Sequence, residues 1–383
     1  MQPPQAPADI PSPGDPPHSV LKFSADGAEG WLVVDTLRDG LAFGGFRFSP
    51  AVTEAEVRGL ARAMTWKLAG HGLPTGGAKG GLRCDPSDPR LGDWLRAFVA
   101  QCGEPLRRVA VVGKDMGATD ALLDRLYAEL GRAQLALIRP RAGGRACPER
   151  LRDLSGYVPH MTGRGVAWAA AAALSGDIAG RRVAIQGAGA VGVGAAVRLA
   201  ELGAETVAIS DARGTLAAPP GGALPVEGLV RAAGPGGLID RGRCDFAHVA
   251  APRDALLSAE ADVLVLAASS HSVDEALAAG VRAPLVVEGS NFGLTEGARE
   301  ALAARGVAVI PDVIASSSSA AMVCHQLATG NAWPADALWA TIRGAIERSV
   351  ALGLEGARRD GVTVREAYLR RFAGGRGGER SNP

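Results

Sequence analysis

The chain has 383 residues, 41 of them basic and 40 acidic, for a formal net charge of +1. That balance excludes a nucleic-acid backbone binder and a basic membrane-surface protein, both of which need an excess of cations. At 47% hydrophobic residues, a chain of this length buries a large core and is expected to form two domains. Only four of the basic residues are lysines: Lys22, Lys67, Lys79 and Lys114. Arginine does not readily lose its proton, whereas a buried lysine does. The lysines are therefore the first candidates for chemistry.

Five cysteines (Cys84, Cys102, Cys147, Cys244 and Cys324) are widely spaced, odd in number and free of any C-x-x-C. They read as reduced thiols of a cytoplasmic protein, neither a disulfide scaffold nor a zinc site. The histidines form no H-E-x-x-H pair, so no metal site is expected. No apolar run approaches the roughly 18 residues that span a bilayer, and no membrane partner is expected.

In chain order, Met1–Pro17 carries seven prolines and no apolar stretch. It reads as a disordered tail and not as a signal peptide. Residues 18–158 read as a first α/β domain, with strand-like runs at Trp31–Thr36 and Arg108–Gly113. Its clearest helix starts at Thr53, where Thr53 and Glu56 form a capping box. Val57, Leu60, Ala61, Met64 and Leu68 then follow a 3.6-residue period, with Lys67 at the edge of the stripe. Lys79 reads as part of a glycine-rich loop.

From 159 to 330 short apolar strands alternate with helices: Arg182–Gln186, Thr206–Asp211, Asp262–Ala267, Leu285–Glu288 and Val307–Pro311. This alternation predicts a parallel, doubly wound sheet of the Rossmann type. Helical segments Ala335–Leu352 and Val362–Phe372 are expected to return to the first domain (331–373), and 374–383 reads as a second disordered tail.

Gly187-Ala188-Gly189-Ala190-Val191-Gly192 is a G-x-G-x-x-G. It follows a strand, opens a helix and precedes a second strand ending at Asp211, about 20 residues on. Gly187 permits the tight turn, Gly189 a close approach of the backbone to pyrophosphate, and Gly192 close helix–strand packing. The start of the helix, at Ala190 and Val191, supplies unpaired N–H groups. Asp211 is expected to accept hydrogen bonds from the adenosine ribose, which favours NAD; nearby Arg213 leaves NADP open.

Lys67 and Lys79 lie twelve residues apart in Met64-Thr65-Trp66-Lys67 … Leu73-Pro74-Thr75-Gly76-Gly77-Ala78-Lys79-Gly80-Gly81. A desolvated lysine near a second cation has a lowered pKa and serves as an acid or base near neutral pH. This segment resembles the active-site signature of the glutamate/leucine/phenylalanine/valine dehydrogenases. Further matches are Asp85-Pro86, Gly113-Lys114-Asp115-Met116-Gly117, Thr162-Gly163-Arg164-Gly165, Glu288-Gly289-x-Asn291 and Pro311-Asp312. The resemblance covers roughly residues 40–330.

The resemblance implies a substrate-binding and oligomerisation domain at 18–158, and a dinucleotide domain at 159–330. It implies that Lys67 holds the substrate α-carboxylate, that Lys79 is the catalytic lysine and that Asp115 shuttles a proton. Thr162 and Asn291 would place the nicotinamide. The implied reaction is reversible, NAD-dependent oxidative deamination of an L-amino acid to a 2-oxo acid and ammonia, in a homo-oligomer.

Within Ala42-Phe43-Gly44-Gly45-Phe46-Arg47, Phe43 stands where the family's glutamate enzymes carry a lysine for the distal carboxylate. Val323 aligns with their serine. Burying a carboxylate against Phe43, Gly44 and Val323 with no partner would cost several kcal/mol. An apolar, branched-chain or aromatic substrate is therefore expected, with glutamate held by Arg58 or Arg47 as the alternative. Ser316–Ser319 replaces the family's Asn-Ala-Gly-Gly. It motivates a second alternative, a catalytically weak regulatory or assembly subunit. Lys114 is expected to face solvent, and His71 and His325 to be structural.

Overall fold

The computed structural model describes residues 14–142, 148–153, 160–329 and 333–373. Most of the expected N-terminal tail, all of the C-terminal one and Cys147 lie outside these residues. By internal packing they divide into two compact units. The first takes those within Met1–Tyr157, Ala320–Ala340 and Leu369–Pro383; the second takes those within Val158–Ser319 and Thr341–Tyr368. This differs from the expected boundary. Residues 331–373 do not go whole to the first unit, because 341–368 pack within the second.

The first unit holds strands β1 (Ser19–Ala25), β2 (Ala28–Val34), β3 (Ala42–Phe48), β4 (Gly76–Arg83) and β5 (Ala110–Lys114) in the order β1-β2-β4-β3-β5. β1 and β2 are antiparallel to their neighbours, whereas β4, β3 and β5 run parallel. Helices α1 (Glu54–Gly70), α2 (Leu91–Cys102), α3 (Glu104–Arg108) and α4 (Asp120–Glu129) accompany it. α2 buries Leu91, Trp94, Leu95, Phe98, Val99 and Cys102, a helical-period stripe facing the sheet. Phe98 meets Phe46 edge-on at 5.1 Å, and each such buried ring contributes roughly 1.5–3 kcal/mol.

β4 corrects the loop expected around Lys79. Its glycines are strand residues in the sheet interior, where only hydrogen fits. A Cβ on Gly77 would lie 2.3 Å from the Ala61 carbonyl oxygen of α1, and one on Gly80 would lie 2.3 Å from the Phe46 ring. Low β-propensity hides such a strand from a reading by composition.

The second unit begins with α5 (Met161–Ala173), followed by β6 (Arg182–Gln186), α6 (Ala190–Glu201), β7 (Glu205–Asp211) and β8 (Gly214–Ala217). Next come α7 (Val226–Ala232), β9 (Val249–Ala251), β10 (Val263–Leu266), α8 (Glu275–Ala278), β11 (Leu285–Glu288), α9 (Glu296–Ala304), β12 (Ala308–Ile310) and α10 (Asp312–Ala315). The sheet order is β12-β11-β10-β6-β7-β8-β9. β12 through β7 are parallel, as predicted, and β8 and β9 add an antiparallel edge. The order reverses beside β6, which puts the glycine-rich turn at the switch point where doubly wound sheets bind ligands.

The remaining helices are α11 (Ser318–Thr329), α12 (Ala335–Asp360) and α13 (Val364–Ala373). No helix among the described residues is long and apolar enough to cross a membrane.

Candidate active site

Lys79 sits mid-β4, paired in register with Gly45 of β3. Asp115 follows the end of β5, the strand on the other side of β3. The Lys79 ammonium lies 2.8 Å from Asp115 Oδ2. The two approach each other across Gly45, where a Cβ would lie 2.9 Å from Asp115 Cβ and 3.2 Å from Lys79 Nζ. Any other residue there would push the pair apart.

Arg47, two residues along β3 and on the same face by strand alternation, completes the group. Its Nε donates to Asp115 Oδ2 at 2.9 Å, and its Nη1 pairs with Glu56 at the start of α1. Thr53 caps α1 by accepting the Glu56 N–H at 3.2 Å. The reciprocal half of the expected capping box is replaced, because the Glu56 carboxylate engages Arg47. A charge-assisted bond is roughly twice as strong as one to a neutral amide.

The Lys79 side chain is 5% exposed. Burial lowers its pKa, Asp115 opposes that shift, and the permanent charge of Arg47 pushes it down again. Burial would raise the Asp115 carboxyl, but Lys79 and Arg47 outweigh it and hold the group far below the usual carboxylate range. The pair is therefore a fixed carboxylate beside an amine biased toward losing its proton.

Lys67 is buried on α1, the helix whose backbone at Ala61 and Thr65 packs onto Gly77 of β4. Phe43 is buried on β3, on the same face as Gly45 and Arg47. Gly44 faces the other way: a Cβ there would collide with the Ala78 carbonyl oxygen. Gly45, not Gly44, is thus the glycine beside the amine. Val323 is buried on α11, in the stretch that packs with the first unit. Lys114 is exposed and pairs with Asp120 at 3.1 Å, as expected. The His71 and His325 rings meet edge-on at 6.2 Å. Burial lowers the His325 pKa to about 4, so this imidazole is neutral at physiological pH.

In the second unit, a cavity of about 530 Å³ is lined by Gly187, Ala188 and Gly189 of the turn, by Ser210, Asp211 and Ala212 at the end of β7, and by Gly236, Gly237, Arg253, His271 and Ser272 among others. Gly187 has φ +96, a conformation that L side chains rarely adopt. A Cβ on Gly192 would lie 1.9 Å from the Gly187 carbonyl oxygen. α6 starts after Gly189 without a side-chain cap, so its first N–H groups are available to an anion. This turn, its uncapped helix and the cavity beside them fit a dinucleotide. Gly187 and Gly189 would face its pyrophosphate.

Ala190 and Val191 open α6. Val191 packs toward Gly289, where a Cβ would lie 3.2 Å from both Val191 and Val166. This draws the loop carrying Asn291 toward α5 and α6. Thr162 is half-buried at the start of α5, the helix whose Gly163 packs on the α6 backbone. Neither Thr162 nor Asn291 is part of the cavity lining. The 288–294 loop is held by two buried ion pairs. Arg299 Nη2 donates to both Glu288 carboxylate oxygens, at 3.0 and 3.1 Å. Arg365 of α13 pairs with Asp312, which also accepts the Phe292 N–H at 3.3 Å.

Asp211 corrects an expectation. Its side chain is 0% exposed. It accepts the Arg213 and Gly214 N–H groups, the Ile239 N–H and both terminal nitrogens of Arg241. A carboxylate has about four acceptor positions, so none remains for ribose hydroxyls.

Residues 155–367 match the Glutamate/Leucine/Phenylalanine/Valine dehydrogenase family, and residues 21–131 match the dimerisation domain of Glu/Leu/Phe/Val dehydrogenases. An NADP(+)-dependent glutamate dehydrogenase of Pyrobaculum calidifontis is 36% identical over 77% of this chain and 71% of its own length. The chain belongs to the Glu/Leu/Phe/Val dehydrogenase family. A glutamate dehydrogenase of Thermotoga maritima is 31% identical over 88% of this chain and 80% of its own. Among solved structures, a hetero-hexameric glutamate dehydrogenase from Thermus thermophilus in a leucine-bound form matches with a TM-score of 0.73. It is 28% identical and covers 93% of this chain and 87% of that one.

In this amino-acid dehydrogenase, sequence reasoning missed the role of Arg47 as a buried partner of Asp115, and of Arg241 as the partner of Asp211. Arg47 carried a signal, since it closes the Gly-Gly-x-Arg run. Arg241 carried none, being one arginine among many. The Ser316–Ser319 run departs from the family, and the structure accounts for its first three members. The Ser316 and Ser317 hydroxyls donate to the carbonyls of Asp312 and Ile314, and Ser318 donates to the Met161 carbonyl at 2.8 Å. Ser316 and Ser317 thus close the end of α10 on itself, and Ser318, which follows, is tied to the start of α5.

Proposed function

We propose that this enzyme catalyses the reversible, NAD(P)-dependent oxidative deamination of L-glutamate to 2-oxoglutarate and ammonia, as a homo-oligomer assembled through its first domain. The observation that carries the reaction class is the buried Lys79–Asp115 pair with Arg47 beside it. The names of the relatives that span most of the chain favour glutamate. The dimerisation-domain match supports assembly.

Lys67 would hold the α-carboxylate, since a buried carboxylate needs a fixed cation. The cofactor would supply the nicotinamide that takes the hydride from Cα, and the residues of this chain would act on the resulting substrate iminium. Neutral Lys79 would then take a proton from the attacking water, and the Asp115 carboxylate, ionised at rest, would relay that proton from the Lys79 ammonium to the departing nitrogen. Arg47 cannot act as base, because it stays charged. Its work is to keep Lys79 deprotonatable and Asp115 ionised and in place.

A second reading, an apolar amino acid, is favoured by Phe43 and Val323, both buried, and by the two alternative cations. Arg47 is engaged by Asp115 and Glu56, and Arg58 by Glu54. A steady-state panel separates the readings. Glutamate giving the highest kcat/KM supports the first. Leucine, valine or phenylalanine exceeding glutamate replaces it with the second. A dinucleotide that binds while no amino acid or 2-oxo acid turns over removes both, and leaves a regulatory or assembly subunit.

A further inference from the structure

The end of β7 is the place where a dinucleotide fold tells NAD from NADP, usually with a free acid for the ribose 2′-hydroxyl or an arginine for a 2′-phosphate. Here the acid is present but occupied. Arg241 enters from the loop after α7 and grips Asp211 through both terminal nitrogens, Nη2 at 2.9 Å from Oδ1, while Nη1 also donates to the Ile239 carbonyl at 2.9 Å. Backbone N–H groups of Arg213, Gly214 and Ile239 fill the remaining acceptor positions at 2.8, 3.2 and 2.7 Å. Burial tends to raise the Asp211 pKa, but Arg241 and these amides outweigh it and bring the group down to about 2. The carboxylate therefore stays ionised, and its charge is matched by Arg241.

The surroundings are basic. Arg253 lines the same cavity as Asp211 and Ala212, and Arg213 is exposed one residue further on. Arg253 pairs with Asp254 at 2.8 Å, but both are largely exposed, and such a pair holds its partner weakly in water. Of these guanidinium groups, Arg241 is committed to Asp211 and Arg253 is held only weakly by Asp254.

We infer that the Arg241–Asp211 latch makes this cavity selective for a cofactor bearing a 2′-phosphate, NADP(H), with Arg213 and Arg253 as the phosphate ligands. Arg241 is a specificity-determining residue that acts through Asp211. It removes the acceptor that a 2′-hydroxyl would use and cancels the charge that would repel a phosphate. The inference rests on the proposed dinucleotide site but not on the identity of the amino acid.

Direct binding tests it on the full chain, with NADPH and NADH followed by nicotinamide fluorescence, and adenosine 2′,5′-bisphosphate and 5′-monophosphate as competitors. The 2′-phosphorylated member of each pair should bind about tenfold tighter or more, as a charge-assisted contact gives. Arg241→Met should bring the ratio to within about threefold of unity by exposing an unpaired acid. Arg253→Ala, a surface change, should weaken NADPH and leave NADH unaltered. Wild-type protein that binds NADH as tightly as NADPH overturns the inference. So does an Arg241→Met variant of unchanged melting temperature and unchanged ratio. Failure of all four ligands to bind sinks the dinucleotide site as well. A 2′-phosphate preference without amino-acid turnover sinks only the proposed reaction.

Discussion

Replacing Gly77 by alanine adds one methyl group where helix α1 meets strand β4. The new Cβ would lie 2.3 Å from the Ala61 carbonyl oxygen, 2.4 Å from the Thr65 nitrogen and 2.5 Å from Thr65 Oγ1. Ordinary contact begins near 3.4 Å, so helix and strand must separate by about 1 Å, and two of the three obstacles are backbone. Overpacking of this kind costs about 1–3 kcal/mol. Moving Thr65 also disturbs its 2.5 Å bond to the buried Asp35 carboxylate, for about 1.5–3 kcal/mol more. The sum predicts a fall in melting temperature on the order of 10 °C.

Lys79 rides on β4 and Lys67 on α1, so the separation also misplaces the two amines. A 1 Å error in a positioning group can cost about 10²-fold in rate. Thermal melts and kcat/KM measured on one preparation check both numbers. Gly131→Ala is the control. Its φ of +70 strains an alanine, but nothing lies within 4 Å of the new Cβ. It should cost about 1–2 kcal/mol and spare turnover. A Gly77→Ala enzyme that melts within about 2 °C of wild type and keeps kcat/KM within about twofold would refute the packing argument.

Lys79→Arg keeps the charge beside Asp115 but removes the base, and should lower kcat by about 10²–10⁴-fold at every pH. In the wild-type enzyme, the lowered Lys79 pKa places the rise of activity with pH below the ordinary lysine value. Activity is lost as pH falls and the amine takes up its proton, so a rising limb with an apparent pKa at or above 10.5 would remove Lys79 as the base. Arg365→Met unties Asp312 from α13 and loosens the loop that carries Asn291 and Phe292. Breaking a buried pair costs about 3–5 kcal/mol. Hydrogen exchange at Phe292, whose N–H bonds to Asp312, should speed up well before global unfolding, and unchanged protection there would show that the pair does not hold the loop.

Much of this protein was legible from spacing alone. The parallel strands of the second unit announce themselves because buried strands are short apolar runs between turn residues, and the turn at Gly187 because three glycines coincide with a strand and a helix. Lys79 and Asp115 could be singled out because scarce lysines and a long ordered motif persist in one dimension.

What the sequence left open is whatever depends on a partner distant in the chain. β4 looked like a loop, because glycines in a sheet interior are chosen by the neighbour that must approach them, here Ala61 and Phe46. Glu56 looked like half of a capping box until β3 brought Arg47 to it. Asp211 looked like a ribose ligand until Arg241, thirty residues later, took its oxygens. In each case the residue type set what the group can bond to. Only the tertiary fold decided which bond it makes, because hydrogen bonds and clashes act over a few ångströms of space and not along the chain.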